Sequence, residues 1–133
     1  YRSELGKTIG EEMLTPTRIY VSTVLKLLTK VNVCGMAHIT GGGLLENIPR
    51  ALPAGLGVAI NKNSWQVPAV FKLMQELGQI AEQEMFRTFN MGIGYVFIVP
   101  QQERELALSL LQEAGEKPLL IGEVISGTGV QFA

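Results

Sequence analysis

The chain has 133 residues, 47% of them apolar and 17% charged, with a formal net charge of -1, proportions that fit a globular domain with a buried core and exclude a disordered or disulfide-stapled chain. Its cations form no runs and no apolar stretch approaches the ~18 residues of a membrane span, which argues against nucleic acid and membrane as partners and for a cytoplasmic protein. The single cysteine, Cys34, allows no intrachain disulfide and is expected as a small buried residue of a strand.

In chain order, the apolar period at Val21, Val24, Leu25 and Leu28 predicts a helix within residues 19–31, opened by Thr15-Pro16-Thr17. Residues 33–39 read as a buried strand running into Thr40-Gly41-Gly42-Gly43, and residues 44–48 as a short helical turn closed by Pro49. Residues 56–60 make a second strand. Asn63 or Ser64 then caps a helix whose apolar stripe is Val67, Val70, Phe71, Met74 and Leu77, with Pro68 in its first turn and Gly78 as its terminator. A short helix follows over 82–86.

Residues 93–99, nearly all apolar, predict a central strand covered on both faces. A helix over 101–114 turns Ala107, Leu110, Leu111 and Ala114 inward, and a last strand covers 119–125. Strands separated by helices predict an α/β (α+β) fold, a three-layer αβα sandwich around a mixed sheet, with 1–133 as a single domain.

The stretch most informative for chemistry is His38-Ile39-Thr40-Gly41-Gly42-Gly43-Leu44-Leu45-Glu46-Asn47-Ile48-Pro49-Arg50. Glycines between a strand end and a helix start let backbone amides converge on an anion, and Asn47 and Arg50 would add side-chain donors. The same glycines equally make a tight turn with no ligand, and they match neither usual nucleotide-loop pattern. His38, the only histidine, stands beside them as a candidate proton carrier or phosphoryl contact, or as a plain strand-end residue. Arg87 and Asn90 sit before the strongest strand, and Arg18 lies with Thr15, Thr17 and Tyr20 in a second polar cluster. Trp65 and the methionines are expected in the core or an interface. The chain contains no Asp, which leaves few carboxylates for magnesium, and no metal ligands are expected here.

Leu14-Thr15-Pro16-Thr17-Arg18-Ile19-Tyr20-Val21, Ala37-His38-Ile39-Thr40-Gly41-Gly42-Gly43, Glu46-Asn47-Ile48-Pro49-Arg50 and Glu84-Met85-Phe86-Arg87-Thr88-Phe89-Asn90-Met91-Gly92 together resemble the aminoimidazole ribonucleotide synthetase family, also called phosphoribosylformylglycinamidine cyclo-ligase. The resemblance covers roughly residues 11–125 and is to that family's C-terminal half. It implies a two-domain homodimeric enzyme of purine biosynthesis that uses ATP and magnesium to close formylglycinamidine ribonucleotide into an imidazole. Its N-terminal half would hold most of the ATP and magnesium site. That half is missing here, and the first residue is Tyr1, not Met; both fit a piece of a longer chain, inactive alone. By motif position, Gly41, Gly42, Gly43, Asn47 and Arg50 fall on a phosphate-bearing substrate, His38 near the transferring phosphoryl group, and Arg18, Arg87 and Asn90 on the cleft wall. A non-catalytic phosphate-binding or oligomerisation module is the alternative.

Overall fold

The computed structural model describes residues 1–133. The helices are α1 (Ile9–Met13), α2 (Val21–Leu28), α3 (Gly43–Asn47), α4 (Ala69–Gly78), α5 (Glu82–Thr88) and α6 (Arg104–Glu113). The strands are β1 (Gly35–His38), β2 (Leu56–Ile60), β3 (Tyr95–Ile98), β4 (Gly122–Ser126) and β5 (Gly129–Phe132). β1 and β3 form an antiparallel ribbon, while β2 pairs antiparallel with β4 and parallel with β5.

Two apolar clusters lie on opposite sides of the strands. On one side Ala37 and Ile39, Val58 and Ile60 of β2, Leu44 and Ile48, Met85 and Phe86 of α5, and Met91 and Ile93 form the larger core. On the other, Leu27 of α2, Val31, and Ala107 and Leu110 of α6 close over Phe97 and Val99. This is a mixed, layered αβα arrangement, with the strands divided into two pieces instead of one continuous sheet. β3 therefore packs on both faces, Val96 toward the larger core and Phe97 toward the smaller. It is not an interior strand of a wide sheet, because only β1 pairs with it.

Several expectations need correction. In α2 the helical period is right but the buried face is different: Thr23 and Leu27 are covered, while Val21 and Leu25 stand 63% and 60% exposed. Cys34 is exposed and precedes β1. The last strand starts at Gly122, later than predicted, because its partner β2 ends at Ile60, the residue paired with Gly122; Leu119 and Leu120 remain outside it, exposed. Neither Asn63 nor Ser64 caps α4, whose N-cap is Pro68 with no side-chain hydrogen bond; both lie in a 3-10 turn over Lys62–Ser64 that Asn61 closes, its side chain accepting from the Asn63 amide at 2.9 Å. Two elements went unpredicted. The helix α1 has a capping box between Thr8 and Glu11, a T-x-x-E signal present in the sequence. β5 is short and joins β2 only through a long-range parallel pairing.

Gly78 does not terminate α4; Gln79 does, in the left-handed region at φ 49°. A side chain there carries a steric penalty that glycine escapes, so Gln79→Gly is expected to raise stability by about 0.5 to 1 kcal/mol. A higher urea midpoint at unchanged slope would show it.

Candidate functional site

The three successive glycines have three different reasons to be glycine. Gly43 has φ +56°, and a Cβ on it would run into the Phe86 carbonyl and come within 2.7 Å of the Phe89 carbonyl, both at the end of α5. Gly42 has φ +98°, and its Cβ position is 2.9 Å from the Glu46 carboxylate. Gly41 is exposed, is absent from the positive-φ residues and has nothing within 4 Å of a built Cβ. Folding thus accounts for Gly42 and Gly43 and leaves Gly41 free for close approach by a ligand.

Asn47 organises this turn from below. It is buried, and its side-chain nitrogen donates to the carbonyls of Thr40, Gly41 and Gly43 at 3.3, 3.2 and 2.9 Å. Each peptide unit is planar and trans, so a carbonyl drawn inward sends the next residue's amide outward. The amides of Gly41 and Gly42 consequently face away from Asn47, as an anion cradle requires. The Asn47 donor is spent on the turn and acts on any ligand through the backbone.

Two arginines stand at the rim. Arg50 Nη2 is 3.5 Å and Arg87 Nε 3.6 Å from the two oxygens of Glu46. With the arginine side chains 68% and 63% exposed, each pair contributes at most about 1 kcal/mol. Asn90 sits just beyond Phe89, its Oδ1 accepting from the Gly92 amide at 2.9 Å.

His38 belongs to a neighbouring group. Strand alternation buries Ala37 and Ile39 and turns His38 to the opposite face, where it is exposed. The antiparallel register sets Tyr95 directly across, and the two rings stack at 5.8 Å with Tyr20 edge-on to His38 at 5.7 Å. Ring contacts, not a hydrogen bond at a strand end, hold the imidazole. The Tyr20 hydroxyl lies over Gly94, where any Cβ would meet it. Burial pushes the Tyr20 phenol above its usual range, nearby Arg18 opposing and Glu116 adding to the shift. Sequence reasoning missed Tyr95 and Gly94, although the alternation around His38 and the spacing Gly92-Ile93-Gly94 carried a signal for both.

Arg18 is not brought to the glycine turn. It pairs with Glu116 at 3.0 Å, and Glu116 also accepts from Thr23 at 3.0 Å. This cluster edges an open and mainly apolar trough of about 1110 Å³ between β3 and the segment before β4, and no residue of the glycine turn lines it. No group of three or more His, Cys, Asp or Glu side chains comes together to hold a metal ion, and no helix is long and apolar enough to cross a membrane.

A family model described as the C-terminal domain of AIR synthase related proteins matches residues 1–133. The chain belongs to that family. This AIR synthase-related domain is 57% identical over 127 residues to a phosphoribosylformylglycinamidine cyclo-ligase of Pseudothermotoga lettingae, covering 96% of the domain and 37% of the relative. It is 59% identical over 121 residues to the protein of the same name from Desulfitobacterium hafniense, covering 91% and 36%. The domain thus spans little more than a third of the relatives' length. Among solved structures, E. coli HypE, a hydrogenase maturation protein, superposes with a TM-score of 0.67 at 25% identity over 92% of the domain and 40% of that chain. The fold is shared with a protein of another name, so the fold alone does not assign the reaction.

Proposed function

We propose that these 133 residues form one unit, the C-terminal half of a cytoplasmic phosphoribosylformylglycinamidine cyclo-ligase. In this reading the glycine turn holds the phosphate of formylglycinamidine ribonucleotide. The observation that carries it is the pair of outward amides at Gly41 and Gly42 beside two exposed guanidiniums, in a chain more than half identical to cyclo-ligases over nearly its whole length. The reaction transfers a phosphoryl group from ATP to the formyl amide oxygen, after which an internal nitrogen closes the ring and phosphate leaves. His38, exposed on the strand that leads into the turn, would contact the phosphoryl group or carry a proton. Arg18, Arg87 and Asn90 would line the cleft.

Magnesium ligands would come from outside these residues, as the resemblance to the cyclo-ligases implies. ATP would be held mostly by the N-terminal half. Val21, Leu25 and Leu28, exposed along one face of α2, suit a surface covered by that half, which would also form the homodimer.

The test is a titration of the isotopically labelled chain with formylglycinamidine ribonucleotide and, separately, magnesium ATP, following the amides of Gly41 and Gly42. Saturable shifts with the ribonucleotide are expected, and Arg50→Ala should weaken its binding by about 1.5 to 3 kcal/mol, the worth of a charged hydrogen bond. Shifts with ATP alone would move the turn to the nucleotide side. Amides unmoved by either ligand, in this chain and in the intact enzyme, would remove the turn from the site.

A further inference from the structure

Glu46 bridges two cations that come from different elements. One carboxylate oxygen is 3.5 Å from Arg50, four residues downstream, and the other 3.6 Å from Arg87 near the end of α5. The side chain also folds back on the turn, since its Oε2 lies 2.9 Å from the Cβ position of Gly42. A carboxylate of this chain thus stands against the glycine turn with a guanidinium on either oxygen. That is the arrangement an incoming anion would need, and it is already filled.

We propose that Glu46 is an internal counter-ion for the glycine turn, displaced when a phosphomonoester binds. The inference rests on the phosphate reading above and adds how an empty site is kept and what opens it. Without Glu46, Arg50 and Arg87 would meet across the turn as two uncompensated like charges. With it, they stay gathered and partly neutralised. Both pairs are solvent-exposed and weak, so their exchange for a ligand is cheap. A phosphate dianion carries more charge than a carboxylate and more acceptor oxygens, enough to engage both guanidiniums and the Gly41 and Gly42 amides together. A small monoanionic carboxylate offers no more than Glu46 does, so the device selects for phosphate. Glu46 is 45% exposed and can swing into water when displaced.

The experiment compares the wild-type chain with Glu46→Gln and Glu46→Ala, titrating each with ribose 5-phosphate and following the Gly41 and Gly42 amides, with thermal melts as a check on folding. Both variants should bind about three- to tenfold more tightly than wild type, the factor that two exposed ion pairs represent. A residue that merely supports the turn would give weaker binding on removal, so weaker or unchanged affinity in the two variants overturns the inference while leaving the phosphate reading standing. If neither wild type nor variants show a saturable shift, in this chain and in the intact enzyme, the phosphate reading fails and this inference with it.

Discussion

Gly43→Ala is expected to lose about 3 to 5 kcal/mol of folding stability, a large share of what a domain this size possesses. Two effects add. Gly43 has φ +56°, where alanine is strained by about 1 to 2 kcal/mol. Its Cβ would also press on the Phe86 and Phe89 carbonyls, which are backbone and cannot rotate aside. Relief would push α3 away from α5 and open the core between Leu44, 0% exposed, and Met85, 0% exposed. Gly41→Ala is the companion. Its Cβ enters open space at a residue without positive φ, so stability should hold or rise by about 0.4 to 1 kcal/mol through the unfolded chain. Phosphate binding should instead fall about tenfold or more, because the methyl stands where the anion approaches the backbone. Urea unfolding and ribose 5-phosphate titration of both variants check this. Equal unfolding midpoints for Gly43→Ala and wild type would refute the packing argument, and undiminished binding by Gly41→Ala would leave its glycine without a ligand to explain it.

That contrast shows what the sequence could and could not convey. The order of helices and strands was legible because apolar period and turn residues are local signals, and residues 56–60 were placed to the residue as β2. The buried face of α2 was not legible: the helix has a clear apolar stripe, yet Val21, Leu25 and Leu28 on it stand exposed while Thr23 and Leu27 at its edge are covered, so tertiary packing and not the local pattern chooses the face. β5 depends on a partner some seventy residues earlier, and no local pattern announces such a pairing. At the site, the motif His38 to Arg50 gathered the residues of the turn but gave them all one role. Coordinates separate them. Asn47 faces inward, Gly43 belongs to packing, and Glu46, which the sequence reading passed over, joins Arg50 to Arg87. The split between Arg18, tied to Glu116, and the glycine turn likewise arises from tertiary contacts.

Asn47 provides the other large effect, and its direction depends on chemistry more than size. Asn47→Ala removes the donor shared by three backbone carbonyls, at a cost of about 2 to 3 kcal/mol, softened where the part-buried Thr40 and Gly41 carbonyls can recruit water. Asn47→Asp keeps the shape yet should be worse near neutral pH. It replaces the donating nitrogen with a charged acceptor facing three acceptors in a site only 8% exposed. Burial and those carbonyls would raise the introduced carboxyl's pKa above its unfolded value, so the folded form binds the proton more tightly and the variant regains stability as pH falls. Protonated, the group can donate one hydrogen bond back to the turn. Wild type lacks a titrating group at this position, so the difference between the two should shrink on acidification. In both variants the carbonyls are no longer drawn inward, so the Gly41 and Gly42 amides lose their fixed outward aim and phosphate affinity falls even in molecules that remain folded. Urea midpoints across the acid range, read beside ribose 5-phosphate binding at a pH where each variant is folded, separate the two consequences. An Asn47→Asp protein as stable as Asn47→Ala at neutral pH, or one binding phosphate as wild type does, would mean that the turn holds its shape without Asn47.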